Sequence, residues 1–524
     1  MVRNIKQIKI TNVLGWVSLT LLIFLTFGTL AVVLFYSHND FKLTSSDFKV
    51  IKFTIYQAVI SALISSIMGM FLARSLMRQS FWGKSILITI LGAPFILPTI
   101  VAILGIISVF GRNGVLNNIL GPLGFNTLTI YGLHGVIIAN VFFNIPLVSR
   151  LLLQGWKTIP AEQFRLAESL CFNQKNIFFL IELPMLKSRM LGIFAVVFLI
   201  CISSFAIALT LGGGPKSTTI ELAIYQAFRF DFDLSKAANL AIIQFILCLA
   251  LTIMVLWKQQ TEPFQIRFDR TINRWNVDKT RLLDWTVICI CSVFLLTPLV
   301  MIIADGASAI QLINLVILVA LGKSIFVAAG AVIICLFLTI SLGHAIVSSR
   351  TNIRIKWLME GTGYFVIATS PLVIGTGLFI FLYPMLNPTK FVLPITGLVN
   401  AIMALPFSLR IILPAMQKIN QDYGKLSDSI GLNGIHRFFK LTLPRLRNEI
   451  GFASGLIAAL SIGDLGVVTL FASPQSGTLP LTIYRLMGSY QMEAAKAAAF
   501  ILLITCFSIF LLADKLGKSN ALHK

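Results

Sequence analysis

Pro160 to Pro184 reads PAEQFRLAESLCFNQKNIFFLIELP, and Asn420 to Pro444 reads NQDYGKLSDSIGLNGIHRFFKLTLP, so one polar segment returns 260 residues later without a gap. Extending the register from Pro146 to Leu186 gives twelve identities in 41 positions. They are Pro146/Pro406, Arg150/Arg410, Leu153/Leu413, Ile159/Ile419, Leu166/Leu426, Ser169/Ser429, Asn173/Asn433, Phe178/Phe438, Phe179/Phe439, Leu183/Leu443, Pro184/Pro444 and Leu186/Leu446. A self-match at one long period signals duplication of a whole structural unit. The chain reads as two related halves, each built around one polar module.

Away from the modules the chain is too apolar for a soluble domain. Of 524 residues, 57% are hydrophobic and 12% charged, with a mean hydropathy of +0.89; this is the composition of a polytopic membrane protein. Apolar runs near 14–35, 53–76, 86–110, 130–149, 190–211, 239–257, 283–304, 319–342, 358–383, 391–413, 450–471 and 497–513 mostly approach the ~20 residues that cross ~30 Å of hydrocarbon as helix. They predict an all-α polytopic membrane protein of about 12 transmembrane helices, six per half. An even number makes both halves enter from the same side, so the repeats are parallel. The predicted divisions are 1–257 with the module at 160–184, a charged linker at 258–283, and 284–524 with the module at 420–444.

A net charge of +22 suggests nucleic acid until its location is considered. With the N-terminus inside, the inner segments hold 31 Lys or Arg and the outer ones 11. That positive-inside bias puts both modules and both termini in the cytoplasm, so the basic character reports topology. The opening MVRNIKQIKITN precedes about 22 apolar residues with no evident small-residue cleavage site, and is read as leading into a retained first span. Cys201, Cys248, Cys289, Cys291, Cys335 and Cys506 fall in predicted spans and Cys171 in the module. No external pair is left for a disulfide, and no CxxC spacing suggests a metal.

Within the first module, Pro160 can open a helix that Ala161, Glu162, Phe164, Leu166, Ala167 and Leu170 continue at helical spacing. Asn173 supplies a turn, and Pro184 is expected to stop a second apolar stretch from Ile177 to Leu183. A helix–turn–helix under the membrane with an apolar face uncovered asks for a cytoplasmic partner. In the fourth span Asn140, Asn144 and Pro146 admit two readings, packing between helices or lining of a pathway. In LSIGDLGVV, Leu460 to Val468, Asp464 is the one acid well inside a predicted span, and at the 260-residue shift it falls opposite Ser204. A buried acid in a membrane is costly and a functional candidate, although Gly463 and Gly466 also permit a locally satisfied carboxylate.

The outer segment TTIELAIYQAFRFDFDLSKAA, Thr218 to Ala238, interleaves Tyr225, Phe228, Phe230 and Phe232 with Glu221, Asp231 and Asp233. It fits either an interfacial aromatic belt with solvated acids or a docking surface for an external partner. TLPLTIY, Thr478 to Tyr484, is the counterpart of Thr219 to Tyr225. The Gly-rich stretch Gly212 to Thr218 lacks the glycine placement of a phosphate-binding loop. The Gly-Lys-Ser sequences at Gly83, Gly322 and Gly517 fail too, having Arg78, Ile317 and Leu512 where the earlier glycine belongs. The chain has no evident ATP site.

The doubled module resembles the EAA loop of ABC importer membrane subunits, whose pattern is Glu-Ala-Ala, a Gly four places on, and a closing Ile-x-Leu-Pro. Copy one reads Arg165-Leu166-Ala167, Cys171 and Ile181-Glu182-Leu183-Pro184; copy two reads Lys425-Leu426-Ser427, Gly431 and Leu441-Thr442-Leu443-Pro444. Both keep the spacing and replace the leading Glu by a base, and the first also replaces the Gly. Along nearly its whole length, most specifically at 104–116, 142–153, 211–232 and 460–468, the chain is similar to the fused two-copy thiamine importer permeases. The resemblance implies a type I ABC importer permease fold in a bacterial inner membrane, moving thiamine (with its phosphates as further candidates) by alternating access. It implies two copies of a cytoplasmic ATPase subunit, which bind ATP and Mg in place of this chain, and a periplasmic thiamine-binding protein. It also implies an ATPase-coupling role for the EAA-like positions and for Pro160. A thiazolium cation favours an uncharged or acidic lining, for which Asn140, Asn144, Ser203, Ser204 and Asp464 are the candidates.

Two rivals explain less. A ferric-iron or oxyanion ABC permease shares the halves and the loop spacing, yet iron calls for several acids and only one lies well inside a span. An ion-coupled twelve-span carrier calls for carboxylates or histidines at the midplane of both halves, and gives two matched modules no task.

Overall fold

In hydrocarbon every backbone N–H and C=O must find its partner within the chain, and the long apolar runs meet that demand by closing into helices. The computed structural model describes residues 4–37, 44–91, 96–258, 281–348, 359, 366, 369–384, 388–432, 434–472 and 477–518. The first half comprises α1 (Asn4–Ile23), α2 (Thr29–Ser37), α3 (Ser45–Arg78), α4 (Lys84–Leu91), α5 (Thr99–Phe110), α6 (Val115–Leu120), α7 (Leu133–Thr158), α8 (Ala161–Ser169), α9 (Gln174–Ile177), α10 (Leu183–Ile202), α11 (Phe205–Leu211), α12 (Ile220–Arg229) and α13 (Leu234–Lys258). The second comprises α14 (Arg281–Ser308), α15 (Leu315–Ser348), α16 (Pro371–Leu382), α17 (Val392–Ser429), α18 (Gly434–Arg437), α19 (Leu443–Arg445), α20 (Arg447–Ile462), α21 (Gly466–Phe471), α22 (Leu479–Gly488) and α23 (Met492–Lys518). No strand occurs among the described residues. Most of the predicted linker, 259–280, lies outside them.

The duplication is visible helix by helix. The helices α3 and α15 have 34 residues each, α5 and α16 have 12 each, and α12 and α22 have 10 each. Among the described residues, eleven helical stretches are long and apolar enough to cross a membrane, and α16 is a shorter apolar helix in the place of the remaining predicted span.

Three spans expected to be continuous are broken. The run 86–110 is divided between α4 and α5 ahead of Pro98, which has no N–H to donate and disfavours helix in the residue before it. The run 190–211 breaks at Ser203 and Ser204, and 450–471 breaks at the equivalent Gly463–Leu465. At the first of these the hydroxyls of Ser203 and Ser204 donate to the carbonyls of Leu199 and Cys201, both at 2.8 Å, an alternative to the helical ladder.

The sequence halves are not the packing halves. Helix α1 lies along α15, while α14 lies against α3 and α5. Leu19 and Leu22 accordingly share a buried cluster with Leu338 and Leu342, and Ile288 and Leu295 share another with Ile103 and Ile106. Each half packs against the other through its first helix.

Candidate functional site

The helices and caps of the two modules obey one geometry. In α8, Phe164 and Ala167 turn inward while Arg165, Leu166 and Leu170 are exposed; at the end of α17, Gly424 and Ser427 turn inward while Lys425, Leu426 and Ile430 are exposed. Each helix then ends in the same cap. Cys171 N donates to Glu168 O and Phe172 N to Ala167 O; Gly431 N donates to Asp428 O and Leu432 N to Ser427 O. This pairing needs a left-handed residue at the turn, supplied by Cys171 at φ 51° and Gly431 at φ 71°. It explains the family's glycine at that spacing, and it leaves Cys171 in a conformation that side chains avoid.

Pro184 does not stop a helix, contrary to the expectation from its position. From Gln174 the helix runs through a π turn at Phe178–Glu182 directly into α10; the π turn Phe438–Thr442 likewise carries the helix past Pro444, but only to Arg445, where a turn at Leu446 leads into α20. A proline inside a helix lacks the N–H that closes the preceding turn, and the wider turn absorbs that loss. Ile181, Leu183, Leu441 and Leu443 are half-buried along it, whereas Phe179 and Phe439 are exposed. The modules differ at their entrance. Pro160 separates α8 from α7, but its counterpart Asn420 sits inside the unbroken α17.

They also differ in how they are tied to the spans. In the first, Arg74 Nε donates to Glu182 Oε2 at 2.7 Å, and the guanidinium lies 4.8 Å from the Phe178 ring centre. The equivalent positions in the second hold His344, Thr442 and Phe438, with the two rings 6.4 Å apart.

Deeper in the bundle, the two span breaks face each other. A Cβ added to Gly466 would stand 3.6 Å from Asp464 Oδ1 and 3.7 Å from Phe205 Cδ1, so the first residue of α11 reaches the loop that carries the acid. Asp464 Oδ1 accepts from Gly466 N at 3.2 Å, while its buried Oδ2 has no hydrogen-bond partner among the described residues. Asn140 and Asn144 are engaged elsewhere. Asn140 Nδ2 donates to Gln57 Oε1 at 3.0 Å, Gln57 Nε2 donates to Cys201 O at 2.8 Å, and Asn144 Nδ2 donates to Asn140 O at 2.8 Å. The counterpart of Asn140 is Asn400, which donates to Ser461 Oγ at 3.1 Å, the position equivalent to Cys201.

At the face opposite the modules, α12 joins the halves. Glu221, Tyr225, Phe228 and Arg229 fall at i, i+4, i+7 and i+8 and so share one helix face. Glu221 Oε1 accepts from Ser370 Oγ of the second half and from Gln244 Nε2. The Phe228 and Phe379 rings meet edge to face at 4.5 Å, and Arg229 Nη2 donates to Ala472 O at 3.1 Å. Tyr225 packs edge to face on Phe205 at 5.4 Å and neighbours its own counterpart Tyr484. The equivalent face of α22 is Pro480, Tyr484, Met487 and Gly488, which carries no charge.

Glu221 is therefore not a solvated acid as its loop position suggested, being 1% exposed. Burial pushes its carboxyl up to about 7, against the opposing hydrogen bonds from Ser370 and Gln244. Phe230 to Asp233 are exposed, as are Gln226 and Arg229, while the rest of α12 is buried. Sequence reading missed the α12 face, although its four residues at helical spacing were the available signal. Arg74 with Glu182 had none, because the two are 108 residues apart.

A family model for the binding-protein-dependent transport system inner membrane component matches residues 65–260 and again 339–520. The chain is 36% identical over 482 residues to the thiamine transport system permease protein of Escherichia coli (strain K12), covering 90% of this chain and 89% of that one. It is 34% identical over 482 residues to the protein of that description in Brucella abortus (strain 2308), covering 90% and 88%. For the one in Haemophilus influenzae the identity is 33% over 479 residues, covering 88% and 87%. With one family match in each half, the chain belongs to the binding-protein-dependent transport system inner membrane components, as a fused multi-pass inner-membrane permease that works with an ATPase and a binding protein and is not itself an enzyme.

Proposed function

We propose that the chain is the membrane subunit of an ATP-driven thiamine importer. The observation that carries the reading is identity at about one residue in three with thiamine transport permeases across nine-tenths of the chain. In this reading the modules and both termini are cytoplasmic. Two copies of an ATPase subunit, which bind ATP and Mg, dock on 160–184 and 420–444. Their exposed Leu166, Leu170, Phe179, Leu426, Ile430 and Phe439 supply the apolar contact.

Closure of the ATPase pair pushes the modules; the helix continuous past Pro184 carries the movement into α10, and beyond Pro444 a turn at Leu446 passes it to α20. The opposite face, closed by α12, then opens to a periplasmic thiamine-binding protein. Asp464, with Ser203 and Ser204 at the matching break, lines the pathway, and its unpartnered oxygen suits a thiazolium cation. Asn140 and Asn144 keep their hydrogen bonds within the first half, so we assign them to holding α7 against its neighbours.

The test is ATPase activity of the purified chain reconstituted with its candidate ATPase subunit. Stimulation by thiamine-loaded binding protein, and not by empty or iron-loaded protein, is the expected result. Absence of both complex and stimulation overturns the reading.

A further inference from the structure

The two modules keep a pattern of charge although every side chain in that pattern has changed. Glu162, Arg165 and Glu168 in α8 correspond to Asp422, Lys425 and Asp428 at the end of α17, acid, base, acid at i, i+3 and i+6 in both copies. None of the three pairs is an identity, yet all three keep their sign. All six side chains are exposed, on a surface that also carries the exposed pairs Leu166/Leu426 and Leu170/Ile430.

Support of the helix by its own ion pairs is the bland explanation, worth about 0.2–0.5 kcal/mol per pair. Neither Arg165 nor Lys425 forms an ion pair among the described residues, so that explanation does not account for the bases. The one braced member is Asp428, which Arg437 Nη1 meets at 3.2 Å. Divergence of residue type with retention of sign is what selection by an external charge pattern leaves behind. The three positions extend over about 9 Å of helix axis.

We propose that each module docks into a protein cleft in which one acidic side chain lies between two basic ones, spaced over about 9 Å, and that both modules engage the same kind of subunit. The proposal rests on the docking reading above and adds to it the sign of the contact. The leading position of the EAA pattern, Glu there, is Arg165 and Lys425 here, so an acid in the partner is what complements it. A lipid headgroup is the poorer occupant, since each triad sums to −1 and an anionic surface repels it.

The experiment titrates the candidate ATPase subunit onto the full chain in nanodiscs of phosphatidylcholine alone and of phosphatidylcholine with phosphatidylglycerol. Arg165→Glu with Lys425→Glu is expected to raise Kd about tenfold or more at low salt and to flatten its salt dependence. Arg165→Lys with Lys425→Arg is expected to bind like the parent chain. Partner substitutions selected to restore the reversed permease are expected to exchange Asp or Glu for Lys or Arg. Unchanged binding by the reversed chain, or an effect confined to the phosphatidylglycerol discs, overturns the proposal.

Leu166→Asp with Leu426→Asp separates the two levels of inference. If it abolishes docking while charge reversal does nothing, only the charge proposal falls. If neither affects binding, docking through these helices falls as well. All four positions are exposed, and an unchanged melting temperature verifies that each variant is folded.

Discussion

The first module is tied to its spans by the ion pair of Arg74 with Glu182, and the second holds the neutral Thr442 where that acid stands. Glu182, with no exposed side-chain surface, meets Arg74 at 2.7 Å, and a second cluster sets Asp284 of α14 against Gln79 at 3.0 Å and Arg78 at 3.5 Å. At the equivalents of Arg74 and Glu182 the second module has His344 and Thr442. The left-handed cap and the π turn are nevertheless the same in both. After duplication, the cap, the π turn and the signs of charge on the exposed helix face were kept, while the buried charges that tie the module to its spans diverged. The gate at the opposite face shows the same division, with Glu221 and Arg229 on α12 and Pro480 and Gly488 on α22.

The largest expected difference between the halves follows from the ion pair. Removing one member of a buried pair leaves the other charge uncompensated, at about 3–5 kcal/mol. Arg74→Ala should therefore lower the thermal midpoint of the detergent-solubilised chain sharply. Thr442→Ala loses at most one neutral hydrogen bond, about 1 kcal/mol. Equal shifts for the two variants would mean that the charge is incidental to how the first module is held.

The gate comes next. Glu221→Ala leaves Ser370 and Gln244 without their acceptor and is expected to cost about 1–3 kcal/mol, against less for Pro480→Ala. The carboxyl is raised in the folded chain to about 7, from an ordinary value of 4.5. The stability it contributes is therefore fully present below the unfolded value and is lost as pH rises through about 7. Melting midpoints measured across this interval should fall with pH for the parent chain and fall less for Glu221→Gln. An identical slope in both would assign the dependence to another group.

How much of this was legible in sequence depends on the range of the interaction. The duplication shows as one ungapped self-match and the membrane class as the length of apolar runs, so both were readable; which side of α8 is covered was not, since Phe164 and Ala167 are buried while Leu166 and Leu170 are exposed. Hydrogen bonds such as Gln57 to Cys201, 144 residues apart, and Ser370 to Glu221, 149 apart, leave no periodic trace. The span breaks fall between these cases. Serine and glycine marked them, but an uninterrupted apolar count concealed them. Proline misled in one place because its effect depends on the turn before it, and a π turn at Phe178–Glu182 carries the helix past Pro184.

At the span breaks the contrast is one acid against one hydroxyl. If Asp464 faces a cation in transit, Asp464→Asn should reduce thiamine uptake into proteoliposomes about tenfold, near 1.4 kcal/mol, with ATPase stimulation retained. Ser204→Ala should change uptake little, because its hydroxyl is bonded to the Cys201 carbonyl. Equal losses would make the two breaks equivalent and remove the role of charge.

The smallest difference is the cap. A side chain in the left-handed region costs about 1–2 kcal/mol, and glycine gives back about 0.5–1 through the freedom it adds to the unfolded chain. Cys171→Gly should then stabilise the first module by about 0.5 kcal/mol, and Gly431→Ala should destabilise the second by a similar amount or slightly more. Both are readable as opposite shifts in melting temperature. If Cys171→Gly destabilises instead, the thiol contributes a contact that outweighs its backbone strain, and the first module has made the substitution useful.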